Sequence, residues 1–159
     1  MTTPTTPATA PVTQAVRWDL GYDIHLGATW SRFMQGLREA KILANRCPDC
    51  RRVFVPPQAY CESCYVPTDE WLELPGEGSL EVFTVVWHGF TGGPTPPYVV
   101  GAIRLDGADT LLMHVVTGLD FSDPATVRDQ LPQGSRVRAV WSAERAGHIL
   151  DISHFEPAG

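Results

Sequence analysis

Two C-x-x-C knuckles, Cys47-Pro48-Asp49-Cys50 and Cys61-Glu62-Ser63-Cys64, stand ten residues apart and constrain this chain more than any other feature. Each knuckle brings two thiolates onto one tight turn. Two facing knuckles set four sulfurs at tetrahedral corners, which is how a ribbon holds structural zinc. Two disulfides or a redox C-x-x-C are the competing assignments. A redox motif is normally single and opens a helix after a strand, whereas this one is duplicated and runs into Arg51-Arg52-Val53-Phe54-Val55-Pro56. Disulfides require an oxidising compartment, and the N-terminus has neither the basic start nor the apolar stretch of a secretory signal. The spacing points to one zinc on Cys47, Cys50, Cys61 and Cys64, the only 4 cysteines present. With sulfur in every ligand place, no position is left for water or substrate, so the metal is structural.

The rest of the composition narrows the setting. A chain of 159 residues has room for one ordinary domain or two small ones, and 43% hydrophobic residues suffice for a core. A net charge of −6 argues against a general nucleic-acid binder, whose affinity comes from neutralising phosphates. No apolar run approaches the roughly 20 residues that cross a bilayer. Residues 1–15, rich in Thr, Pro and Ala, bury nothing and are expected to form a disordered tail. Paired thiolates and no leader fit a cytoplasmic protein.

Periodicity divides the rest of the chain. The segment 16–42 is expected to be helical: Trp30, Phe33, Met34 and Leu37 recur at helical spacing, which predicts an amphipathic helix from about Ala28 to Lys41 with Thr29 as N-cap. Gly36 weakens that helix by about 1 kcal/mol relative to alanine, so it depends on packing. Its apolar stripe either caps this chain's own core or docks on a partner through Trp30 and Phe33. The ribbon spans 43–69, with Val53-Phe54-Val55 and Pro56-Pro57 as the loop between knuckles, and metal supplying much of its folding free energy. From 70 to 159 the pattern is β. Strands are expected at Leu80–Trp87, Tyr98–Leu105, Thr110–Val116, Arg136–Trp141 and His148–Phe155. Five strands with one long crossing, Asp120–Ser135, suggest a closed Greek-key barrel of the OB type. The fold class is therefore mainly β: a helix, a rubredoxin-like zinc ribbon and a five-stranded OB-fold barrel.

No nucleophile–base pair, phosphate-cradling glycine loop or H-E-x-x-H motif is present, so the chain does not read as an enzyme on its own. His88 and His114 are the histidines nearest a catalytic setting, and a hydrogen-bonded or partner-facing role suits both better. Arg51 and Arg52 belong to a basic cluster around the first knuckle. They either grip the phosphate of a ligand or offset the formally −2 zinc–thiolate group. The Gly/Pro-rich loop Gly89–Pro97 is longer than a hairpin requires and carries Phe90 as a candidate partner contact.

Taken in order, the helix, Arg46-Cys-Pro-Asp-Cys-Arg-Arg-Val-Phe-Val-Pro-Pro57, Cys61-Glu-Ser-Cys64, Glu70-Trp71, Gly76-Glu-Gly78 and Phe83-Thr-Val-Val86 resemble the zinc-ribbon/OB-fold acyl-CoA-associated proteins, long catalogued as a domain of unknown function. The resemblance runs from about Ala28 to Glu156. Arg51 departs from it, since many relatives carry Gly after the second cysteine. The resemblance implies a non-catalytic accessory subunit of a thiolase-like enzyme acting on coenzyme A thioesters, by carbon–carbon bond formation or cleavage, with retro-aldol removal of a steroid side chain among the examples. It implies a heterotetramer of two such chains on a thiolase-like dimer, with the acyl-CoA at or near the interface. The alternative is a stand-alone OB-fold module for an acyl ligand or nucleic acid.

Overall fold

The computed structural model describes residues 21–90 and 93–158. The expected tail over 1–15 and the start of the 16–42 segment lie outside them. Among the described residues of that segment, regular helix is confined to α1 (Gly27–Arg38). Leu26 precedes it and no side chain caps it, so Thr29 lies inside the first turn and is not the N-cap. The helix closes in a Schellman arrangement. Lys41 N–H donates to Gly36 O and Ala40 N–H to Leu37 O, each at 2.9 Å, and Ala40 takes the left-handed conformation at φ 58°. Phe33, the candidate partner contact if the stripe docked elsewhere, is fully buried beside Leu37, because the apolar stripe covers the chain's own core. Trp30 packs edge-on to Phe33 at 5.9 Å and stays 39% exposed. Gly36 has a packing reason for its helix cost: a Cβ there would meet the Leu43 side chain at 2.7 Å, so glycine lets the helix lie close on the next strand.

That strand, β1 (Ile42–Arg46), is the centre of a three-stranded antiparallel sheet, β2-β1-β3. β2 is Val53–Phe54, expected as connecting loop, and it pairs with Asn45 and Arg46. β3 is Glu70–Leu74. Its pattern groups it with the barrel, but it pairs with β1 along its length, from Arg46↔Glu70 to Ile42↔Leu74.

The barrel contains β4 (Glu77–Val86), β5 (Tyr98–Leu105), β6 (Leu112–Val116), β7 (Arg136–Trp141) and β8 (Ile152–Pro157), closed in the order β4-β5-β6-β8-β7. The long crossing contains α2 (Pro124–Gln130), started by Asp123, whose carboxylate accepts from the Ala125 and Thr126 N–H groups, with Pro in the first turn. The expected strand over His148–Phe155 begins with a 3-10 turn at Ile149–Asp151. The buried Asp151 carboxylate accepts from the N–H groups of Ala146, Gly147 and His148, and that coils the chain before β8 can start.

Ribbon and barrel share one core. Phe33 and Leu37 of α1, Ile42, Ala44, Val53, Val55 and Leu74 of the ribbon, and Leu80, Ile103, Val116 and Phe155 of the barrel belong to a single cluster. The β5–β6 connection stitches the two units. Asp109 accepts from Val53 N–H at 2.8 Å, and Thr110 Oγ1 accepts from Val55 N–H at 2.7 Å while donating to Val55 O at 2.8 Å. Thr110, expected in β6, is committed to this seam instead, and the strand begins at Leu112.

Candidate functional site

Each knuckle is a turn held by its own backbone. In the first, Arg51 N–H donates to Cys47 O at 3.1 Å and Cys47 N–H to Arg52 O at 2.9 Å; in the second, Tyr65 N–H donates to Cys61 O and Cys61 N–H to Val66 O, both at 2.9 Å. The residue after each second cysteine is left-handed, Arg51 at φ 65° and Tyr65 at φ 57°. This explains why glycine suits the position and why Arg51 is a departure: a side chain there costs roughly 1 kcal/mol of strain.

The knuckles bring all four Sγ atoms within 4.8 Å of one another, with Cys50 Sγ and Cys61 Sγ 3.7 Å apart. Sulfurs on a zinc ion at about 2.3 Å stand roughly 3.8 Å apart in a tetrahedron, so the donor set fits that ion. Electrostatics agree. The Cys64 and Ser63 backbone N–H groups, against burial, bring the Cys61 thiol down to about 7. Its neighbour Cys64 is pushed up to about 12, first by the Cys50 thiol, then by burial and Cys47. Cys61 ionises readily while Cys64 does so only against its neighbours, and a cation among the sulfurs would favour the ionised forms. Buried Cys47 and Cys61 pack with Phe54 in a small satellite core.

Asn45 clamps the second knuckle to the first, a role its sequence position did not reveal. Fully buried, its Nδ2 donates to Gln58 O at 2.5 Å and Thr68 O at 2.7 Å, and its Oδ1 accepts from Gln58 N–H at 3.2 Å. Thr68 Oγ1 closes the ring by donating to Gln58 O. The available signal was a lone amide in an otherwise apolar strand, Ile42-Leu43-Ala44-Asn45.

Both arginines singled out by sequence already have carboxylate partners. Arg51 reaches Glu70 with Nη1 and Nη2, at 2.6 and 3.2 Å, and Arg46 reaches the same carboxylate at 2.7 Å. Arg51 first, then Arg46, holds Glu70 below the usual carboxylate range. Arg52 pairs with Glu62 at 2.5 Å and lies over the Phe54 ring, 5.5 Å from its centroid. Arg51 and Glu70 thus brace the first knuckle to β3, and Arg52 and Glu62 link one knuckle to the other.

The remaining residues disperse. Phe90 lies in the β4–β5 connection, 70% exposed, far in sequence from Trp30 on α1. His114 is buried, its Nδ1 accepting from Val115 N–H at 2.9 Å and its Nε2 3.3 Å from Ile149 O, with the ring edge-on to Phe155. Burial holds it below the ordinary histidine value. With Nδ1 an acceptor and Nε2 a donor, neither nitrogen is free for proton transfer. On the barrel's outer face the cross-strand rows Val82–Ala102–Met113 and Thr84–Val100–Val115 are apolar apart from the Thr84 hydroxyl, where nucleic-acid-binding OB-folds present stacking aromatics and cations. No helix among the described residues is long and apolar enough to cross a membrane.

The sequence matches two domain families described for one protein type: the rubredoxin-like zinc ribbon domain of ChsH2 over residues 34–70, and its C-terminal OB-fold domain over residues 71–142. Among solved structures, the chain is similar to a DUF35-family protein of unknown function from Sulfolobus solfataricus, with 22% identity, a TM-score of 0.56, and coverage of 72% of this chain and 78% of that one. It is also similar to a chain of the Ltp2-ChsH2(DUF35) aldolase, with 21% identity, a TM-score of 0.59, and coverage of 81% and 94%. Likeness at these identities speaks to fold. No curated protein matches the chain. Contiguous matches to both domains, joined in the structure by one core, place this chain in the family of ChsH2-type proteins, a rubredoxin-like zinc ribbon followed by an OB-fold.

Proposed function

We propose that this chain is the non-catalytic accessory subunit of a thiolase-like complex that makes or breaks carbon–carbon bonds in acyl-CoA thioesters, with retro-aldol cleavage of a steroid side chain as the leading reaction. The observation that carries this reading is the fold match to one chain of a two-protein aldolase, covering 94% of that chain. A partner surface on that chain would fall largely within the fold shared with this one, which supports the reading. The side chains agree. Four cysteines form a closed metal site, and the best-placed histidine is committed to backbone partners. Zinc, one per chain, would hold the knuckles together and supply folding free energy, on the order of 10 kcal/mol for isolated modules. Such thiolates persist in a reducing compartment, in keeping with a cytoplasmic protein.

Trp30 and Phe90 are the aromatics we assign to the partner, in a heterotetramer of two such chains on a thiolase-like dimer. Arg51 and Arg52 are the cations we assign to coenzyme A phosphate, reached by opening their exposed pairs with Glu70 and Glu62. Reversing both to Glu should raise the KM for the thioester while zinc stays bound. An unchanged KM would leave them as braces of the ribbon. The subunit reading itself is tested by tagging the chain in its native host and identifying what co-purifies. A thiolase-like protein in near-equal amount is expected; a lone, monodisperse chain would point to an independent ligand-binding module.

A further inference from the structure

β4 has a neighbour on both sides only at its start. Glu77–Ser79 pair with β7, and Leu80 exchanges backbone bonds with Ser135 and Gly134, each at 2.9 Å. Past the irregularity between Leu80 and Val82, the strand is paired with β5 alone. No backbone group among the described residues bonds to the other edge of Val82–Val86. Beside that edge runs an open groove of about 500 Å³, lined by Leu80, Val82 and Phe83 of β4 and by Arg128, Leu131 and Pro132 from α2 and its exit. A row of free backbone donors and acceptors next to a groove of mixed lining, with Glu81 and Gln133 among its apolar residues, suits an extended polypeptide, since an acyl chain would leave the backbone groups unmet.

The chain carries a segment of that chemistry. Tyr22-Asp23-Ile24-His25-Leu26 alternates apolar and polar residues, and the alternation runs back in the sequence through Leu20, Trp18 and Val16. Tyr22 is 77% and Ile24 68% exposed, and residues 22–26 belong to no strand or helix. An alternating apolar face that is left bare is a strand awaiting a sheet. The arm's polar side is acidic at Asp19 and Asp23, and Arg128 beside the groove pairs with no carboxylate among the described residues.

We propose that the arm of a second copy adds to the free edge of β4 as an extra strand, with Tyr22, Ile24 and Leu26 against the groove. Exchanged between two copies, two arms and two edges close an isologous dimer. The test is sedimentation equilibrium of the full-length, zinc-loaded chain, alone and with a synthetic peptide of residues 16–26. A dimer is expected. The double variant Tyr22→Asp, Ile24→Asp alters only exposed side chains and should weaken that dimer at least tenfold with an unchanged circular dichroism spectrum. The peptide should dissociate the wild-type dimer, and on the variant it should slow amide exchange at Val82–Val86. A dimer untouched by the variant and the peptide would overturn the proposal, as would a monomer at all concentrations. Among monomers, protected amides at Tyr22–Leu26 would mean that the arm lies on its own chain.

Discussion

Arg51 and Tyr65 occupy equivalent places, one residue past the second cysteine of each knuckle, and both are left-handed. Tyr65 has 84% of its surface exposed and so has little packing to lose. Tyr65→Gly should therefore stabilise the zinc-loaded protein by up to about 1 kcal/mol in urea denaturation. Asn45 is the opposite case: Asn45→Leu strands the Gln58 and Thr68 backbone groups that its amide satisfies, at a cost of about 3 kcal/mol. His114 adds a pH dependence. Its folded value lies below the ordinary 6.5, because burial disfavours the cation. Its contribution is complete above that value and shrinks as the pH falls toward the folded one, since only the unfolded chain takes up the proton. Thermal unfolding from pH 8 to pH 5 should show this loss, and His114→Gln should remove that part of the slope. The cysteine spacing made the metal site legible, because four thiols at this separation have few other uses. Asn45 was not legible, since nothing in one strand shows that a buried amide will meet loops 13 and 23 residues away.

At the scale of elements, the same local pattern can serve different neighbours. The apolar stripe of α1 was evident, but whether Phe33 covered its own core or a partner depended on where the helix came to rest. The sequence of Glu70–Leu74 would suit a strand of either sheet, and only tertiary pairing assigned it to β1. Periodicity also missed the 3-10 turn before β8, which the side chain of Asp151 dictates. Tyr98–Leu105 and Arg136–Trp141, runs rich in β-branched and aromatic residues between turn residues, came out as expected. The ribbon elements depend on the cluster that links them. Cys61→Ser should abolish tight zinc binding and release Tyr60, Tyr65 and β2 to rapid amide exchange. The barrel, with its own closed sheet, should keep slow exchange at β5 and β7.

For the whole molecule, the shared core and the Asp109–Thr110 seam make ribbon and barrel one body, so a partner meets a single surface. That surface carries the four-cysteine cluster in the ribbon and a largely apolar outer sheet face with an open strand edge in the barrel. This combination suits assembly better than independent chemistry. The most direct measurement is carbon–carbon bond cleavage of an acyl-CoA thioester, assayed with this chain, with its co-purified thiolase-like partner, and with both together. Turnover is expected only in the mixture, saturating at equal amounts of the two proteins. Turnover by this chain alone, or by the partner at the same rate without it, would contradict the accessory role.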